Sequence, residues 1–367
     1  MAAPADPARL VRRLRIALVA VAMLLGVALI AVLGVIFYWN AYLLGDRGED
    51  PFTRGPYVVG LSQTTASVRF LGPDPARVAL TAVAPDGSEV VASPAGDFTG
   101  LAPGTRYLWT AAVDGIGQAS GSFRTAPDDP DAEVVFGVIA DYGSGSEHQY
   151  AVGRGLDAID PAFVLTAGDN SYLLALPQLL DRNVFRPLRG VMGEAQLVVG
   201  LGDHDTFATD GRFLVEAVES PGDGLRYTYD YGPVRVVVLG VDEDPATIAY
   251  AKEALAEPWD GPRFAVLHTP LQPGDALNPI LKGRVDAVFS GHLHRCERRV
   301  VDGVLVIVAG CGGQGPGDEA FTLESGDAAF STLDYGFVRV TASRTGSAIE
   351  TIDEAGRVRD RVEVPPR

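Results

Sequence analysis

The sequence predicts an α/β domain, preceded by a small all-β domain and by one long apolar helix. Three observations carry that expectation. From Glu133 onward, apolar runs alternate with helix-like segments, the mark of α/β organisation. Residues 52–126 instead hold short alternating runs separated by Gly, Pro and Asp turns. Residues 16–38 contain no charged side chain. The expected divisions are 1–45, 52–126 and 133–367, and a chain of 367 residues has room for them.

The uncharged segment runs for roughly 23 positions, enough to span a bilayer with some tilt. It exceeds the core of a signal peptide, and no small-x-small cleavage site follows before Phe37, Tyr38, Trp39 and Tyr42. Those aromatics read as an interfacial belt. Arg9, Arg12, Arg13 and Arg15 precede the span, while Asp46, Glu49 and Asp50 follow it. Counting the arginines puts the N-terminus in the cytoplasm and the rest of the chain outside.

In 52–126, the runs Ser67-Val68-Arg69-Phe70, 78–83 and 107–113 are strand candidates, and Pro85-Asp86-Gly87 is a hairpin turn. Such spacing suggests a small β-sandwich. Leu101-Ala102-Pro103-Gly104-Thr105-Arg106-Tyr107 resembles the Leu-x-Pro-x-Thr-x-Tyr segment of fibronectin type III domains. Pro127-Asp128-Asp129-Pro130-Asp131, polar and proline-rich, reads as a linker.

In the α/β part, one apolar run after another stops at an acid or an imidazole. Residues 134–140 end in Asp141, and 163–167 lead into Gly168-Asp169-Asn170-Ser171-Tyr172. Residues 197–201 lead to Gly202-Asp203-His204-Asp205, 234–239 end near Asp242, and 264–267 end in His268. Residues 286–289 lead to Gly291-His292-Leu293-His294, and 304–308 to Cys311-Gly312-Gly313. Helical stretches are expected over 149–159, 173–192 and 248–257, the second interrupted by Pro and Gly. After Tyr335 strand-like alternation returns, with Glu354-Ala355-Gly356 as a hairpin tip.

A net charge of −17 argues against a nucleic-acid partner, because phosphate binding needs basic patches. Two cysteines exclude a disulfide-rich scaffold and a Cys-based zinc cluster. The chain has five histidines, and four of them (His204, His268, His292 and His294) sit just after strand-like runs, beside Asp141, Asp169 and Asp203. Mixed imidazole, carboxylate and phenolate donors suit iron, manganese or zinc. The candidates exceed one tetrahedral shell, so two metals sharing a carboxylate is the economical reading, and such pairs serve phosphoryl displacement.

Five motifs then stand in order: Asp141-Tyr142-Gly143, Gly168-Asp169-Asn170-Ser171-Tyr172, Gly202-Asp203-His204-Asp205, Val266-Leu267-His268-Thr269-Pro270 and Gly291-His292-Leu293-His294. With them the chain resembles the calcineurin-like metallophosphoesterases, and within these the purple acid phosphatases, over about residues 52–340. The resemblance implies a four-layer αββα sandwich and hydrolysis of phosphate monoesters by a metal-activated hydroxide. The family's first motif is Asp-x-His, but position 143 here is Gly. In purple acid phosphatases a Tyr three residues after the bridging Asp takes over, and Tyr172 stands at that place. Carried over, Asp141, Asp169, Tyr172 and His294 hold the first metal, and Asp169, Asp203, His268 and His292 the second. Tyr172 implies Fe(III) in the first site, with Fe, Zn or Mn(II) in the second. His204 stabilises the transferred phosphoryl group and protonates the leaving oxygen.

Asp203 departs from the family, which has Asn there. Asp still offers a hard oxygen to a metal, but the extra negative charge should weaken attraction for an anionic phosphate and lower activity on monoesters at acidic pH relative to an Asn at this position. His148, in the loop after Asp141, is a candidate substrate contact or a surface residue, as are Glu147 and Arg154; Asp242 has no counterpart in the family pattern. Cys296 and Cys311 flank a hairpin at Asp302-Gly303, which sets 296 near 309–311, close enough for a disulfide outside the cytoplasm, with free thiols as the alternative. Two other activities fit the sequence: a phosphodiesterase or nucleotide pyrophosphatase on the same scaffold, and a catalytically inert surface adhesion or receptor protein.

Overall fold

The computed structural model describes residues 7–44, 51–172, 175–315 and 328–367, without the side chains of 7–14, 39–44 and 118. Two compact units result, Met1–Arg47 and Gly48–Arg367. The first is one helix, Pro7–Leu44, of 38 residues. Its stretch Arg15–Tyr38, 24 residues long, reaches a mean hydropathy of 3.1 over an 18-residue window. At 1.5 Å per residue that is about 36 Å, against roughly 30 Å of bilayer hydrocarbon. A helix of this kind, near the N-terminus, could span a membrane. Asp46, Glu49 and Asp50 lie outside the described residues, as do the side chains of Arg9, Arg12, Arg13, Trp39 and Tyr42.

The second unit opens with two antiparallel sheets. One joins Arg54–Val59, Thr65–Leu71 and Asp97–Thr99; the other joins Glu89–Val91, Val78–Val83, Arg106–Val113 and Ile116–Arg124. Alternation decides the buried face: along Arg106–Val113, Tyr107, Trp109 and Ala111 point inward. The expected turn forms, with Ala84 N–H donating to Ser88 O and Gly87 at φ 84°. Ala102 N–H donates to the Tyr107 hydroxyl at 2.9 Å. The indole of Trp109 donates to Gly193 O at 2.9 Å, and Leu61 N–H to Gln196 Oε1 at 2.7 Å, so these strands are fastened to the α/β part of the chain.

From Val134 two larger sheets form. The first has six strands in the order Gln196–Gly200, Phe163–Ala167, Val134–Ile139, Gly336–Ser343, Gly346–Asp353, Val358–Val364. Its first three strands are parallel and the rest antiparallel. The second has seven: Tyr227–Tyr231, Val234–Gly240, Arg263–Leu267, Ala287–Ser290, Val304–Ala309, Cys296–Val301, Phe330–Thr332. Val234–Gly240 through Val304–Ala309 are parallel. The central strands are buried on both faces, which is why they read as continuous apolar runs.

Phenylalanines fill the space between the sheets. Phe136 stacks on Phe163 at 4.6 Å and meets Phe264 edge-on at 5.4 Å, joining strands of both sheets in one core. The outer face of the six-stranded sheet packs Ile139, Val164 and Val199 against Val152 and Leu156 of the helix Glu147–Ala158. The outer face of the other sheet packs Val237, Ala265 and Val288 against Ala251 of the helix Pro245–Ala254 and Leu281. The interrupted stretch 173–192 forms short helical pieces, Pro177–Leu180 running into Asp181–Phe185 and then Arg189–Met192, with Pro177 opening the first and Pro187 lying in the break before the last; Leu173 and Leu174 lie outside the described residues. Cys296 and Cys311 are bonded, with Cα atoms 5.2 Å apart.

Candidate metal centre

All the parallel strands of both sheets end on one side, and each candidate ligand follows such an end by one to five residues. Backbone bonds stitch the two edges together: Ala140 N–H donates to Ala309 O, Gly312 N–H to Ala140 O, and Gly291 N–H to His268 O. This seam brings Asp141, Asp169, Asp203, His268, His292 and His294 within reach of one another. Asp141, Asp169, His292 and His294 hold positive φ angles of 52°, 52°, 70° and 45°. Such backbone costs on the order of 1–3 kcal/mol per residue and gathers at functional sites.

Two clusters result. Asp141, Asp169 and His294 form one, and Asp203, His268 and His292 the other; Asp169 also groups with Asp203 and His204. The Tyr172 hydroxyl lies 2.9 Å from His294 Nε2 and 3.2 Å from Asp141 Oδ1. Asp203 Oδ1 lies 3.0 Å from His268 Nε2 and 3.3 Å from His292 Nδ1. His268 Nε2 is also 3.4 Å from Asp169 Oδ1. His204 donates its backbone N–H to Asp169 Oδ1 at 3.0 Å, and its ring Nε2 is 4.0 Å from Asp169 Oδ2. The sequence-identified set from Asp141 to His294 is therefore gathered at one place.

His148 stands elsewhere on the rim, paired with Glu354 at 2.8 Å and stacked on Tyr335. Glu147 and Arg154 are exposed on the same helix. Asp242 accepts a hydrogen bond from Thr269 and belongs to neither cluster.

The electrostatics follow from burial and crowding. Burial raises the Asp141 carboxyl well above its usual range, and Asp169 adds to the effect. Burial, with Asp141 and Asp169 alongside, pushes the Tyr172 phenol far up as well. Burial pulls His268 down, but the hydrogen bond to Asp203 and the charges of Asp169 and Asp141 outweigh it, and the ring rises to about 10. Hydrogen bonds from His268 and His292 hold the Asp203 carboxyl far below its ordinary value. So many acids in one buried place repel each other unless positive charge joins them.

The donor set fits metal ions. Asp141 Oδ2 is buried without a hydrogen-bond partner. An unsatisfied buried carboxylate oxygen costs on the order of 1–3 kcal/mol or more, and a cation beside it removes that cost. His268 and His294 direct Nδ1 at the backbone carbonyls of Ala167 and Gly315, at 2.8 and 3.1 Å. That fixes each ring with Nε2 toward the acids, the usual arrangement of a ligating imidazole. Close approach needs glycine here: a Cβ on residue 202 would stand 2.2 Å from Asp169 Oδ1, and one on residue 310 would stand 2.3 Å from Asp141 Oδ2.

One supporting residue escaped the sequence reading. Asp205 is fully buried and accepts from the backbone N–H groups of Asn170, Ser171 and Gly202, and from the Asn170 side chain at 2.7 Å. Burial and then the charge of Asp169 push it up to about 6. It clamps the loop carrying Asp169 to the loop carrying Asp203. Its signal was present as the last residue of Gly202-Asp203-His204-Asp205, without an assigned role.

Fold and site together define a calcineurin-like metallophosphoesterase fold. A solved structure of PhoD has a TM-score of 0.59 to this chain at 13% identity, covering 86% of this chain and 92% of its own. The structure of GAP50, described as the anchor in the inner membrane complex of Plasmodium, has a TM-score of 0.53 at 14% identity, covering 64% and 89%. No family model and no curated protein matches the sequence.

Proposed function

We propose that the chain is a membrane-anchored phosphatase of the binuclear-metal type, hydrolysing phosphate monoesters outside the cytoplasm. The observation that carries this reading is Asp169, whose carboxylate groups with Asp141 and His294 on one side and with Asp203 and His204 on the other. Asp141, Asp169, Tyr172 and His294 would hold one metal; Asp169, Asp203, His268 and His292 the other. A phenolate is a hard anionic donor, which favours Fe(III) at the first site, with Fe, Zn or Mn(II) at the second. Such a pair, when bound, supplies Lewis acidity and a nucleophile at neutral pH.

The chain's own groups do the rest. Asp205 and Gly202 hold the Asp169 and Asp203 loops in register. His204, with its side chain 43% exposed beside Asp169, can meet a substrate, stabilise its phosphoryl charge and protonate the leaving oxygen. A diesterase would use the same ligands.

On the same reading, residues 52–126 are a fibronectin type III-like module and 133–367 a four-layer αββα domain; apolar cores between the two large sheets and on the outer face of each support the four layers. The arginines ahead of residue 16 favour a cytoplasmic N-terminus. A phosphoester panel run with metal analysis tests the proposal. Turnover of monoesters that a chelator abolishes is expected; a folded protein that binds no metal and turns over no ester would end it.

A further inference from the structure

Phe207 is 84% exposed, more than any other large hydrophobic side chain among the described residues, those of the apolar N-terminal helix included. It belongs to the helix Asp203–Thr209, which begins with Asp203 and His204. Asp205 is the buried residue of that helix. Asp203 and Phe207 are four residues apart and His204 and Phe207 three, so all three share the opposite, open face. Helical side chains lean toward the N-terminal turn, which favours the Asp203 and His204 side for the Phe207 ring. Phe213, just beyond, is packed against the core, so exposure is particular to Phe207 and not to this part of the chain.

We propose that Phe207 determines substrate specificity by stacking on a planar leaving group, a nucleobase or an aryl ring, of the ester whose phosphate meets the Asp203 and His204 side of the site. This rests on the phosphatase reading above. A bare phenyl face gains little from folding when water covers it, and every base or arene offers it a π-face. One helical turn, about 6 Å along the axis, separates it from Asp203.

The test uses the full-length, metal-loaded protein in detergent with adenosine monophosphate, phenyl phosphate and glycerol phosphate. Phe207→Ala should raise KM for the planar esters roughly tenfold with little change in kcat. The change for glycerol phosphate should stay under about twofold, and Phe207→Trp should restore the planar esters. Loss on adenosine monophosphate alone assigns the site to nucleobases, and loss on phenyl phosphate alone to arenes. Equal loss on all three esters, or none on any, overturns the proposal. Calorimetric binding of adenosine monophosphate against inorganic phosphate separates it from the phosphatase reading. If the wild-type protein turns over none of the esters, the reading of the enzyme fails. Tighter nucleotide binding that Phe207→Ala abolishes would still support the stacking role, and equal binding of the two ligands would overturn it.

Discussion

Gly143 and Asn170 lie so close that a Cβ on residue 143 would stand 2.0 Å from the Asn170 carbonyl oxygen. The same approach lets Tyr172 N–H donate to Gly143 O at 2.9 Å, which carries the phenol toward Asp141 and His294. A histidine at 143 and this placement of Tyr172 therefore exclude each other. Tyr172→Phe should lose metal from the first site, while Gly143→His in that background should not restore it. The double variant should also be less stable by on the order of 1–3 kcal/mol, because the bulk meets backbone. Metal content and thermal melts check both.

Asp203→Asn should raise kcat/KM for phosphate monoesters severalfold while the second metal stays bound. The amide oxygen still faces His268 and His292, and one negative charge facing the substrate is gone. Unchanged turnover with unchanged metal content would contradict the charge argument.

Metal binding should release protons. His268, raised to about 10 by Asp203, Asp169 and Asp141, carries a proton on both nitrogens at neutral pH, and Nε2 must lose one to coordinate. Affinity should then climb with pH up to about 10, with proton release measurable by calorimetry in buffers of different ionisation enthalpy. In chelator, the same raised pKa stabilises the fold fully below pH 6.5. That contribution is lost as pH rises through 10, so chelated protein should melt lower at pH 9.5 than at 6.5.

His204→Ala should cut kcat by about 10²–10⁴-fold without removing either metal, because its side chain belongs to substrate chemistry in this account. Loss of metal along with activity would make it a ligand instead.

The Cys296–Cys311 bridge ties the strand after His294 to the turn before Gly312, whose N–H holds Ala140 O. Closing a loop of 15 residues is worth about 3 kcal/mol. Replacing both cysteines by serine should cost about that much, read as a denaturation midpoint, and should speed metal loss.

Much of the site was legible because strands buried on both faces leave unbroken apolar runs, and the residues that stop them are the ones delivered to the edge. Asp141, Asp169, His268 and His292 could be found that way. Asp205 could not, since a buried acid satisfied by four backbone and side-chain donors looks in sequence like an ordinary helix-start residue. Phe207 was hidden for the opposite reason: an aromatic in a short helix reads as core, and only its exposure shows otherwise. The broken turns of 177–192 escaped as well, because Pro and Gly announce an interruption without saying which short pieces form around it.

The central claim is that one carboxylate, Asp169, joins two metals. Metal stoichiometry of the purified full-length protein and of its Asp169→Ala variant tests it most directly, alongside the visible spectrum. Two metals per chain are expected, one of them iron with a tyrosinate absorption, and both lost from the variant. A wild-type protein that folds with fewer than two, or a variant that keeps both, would contradict it.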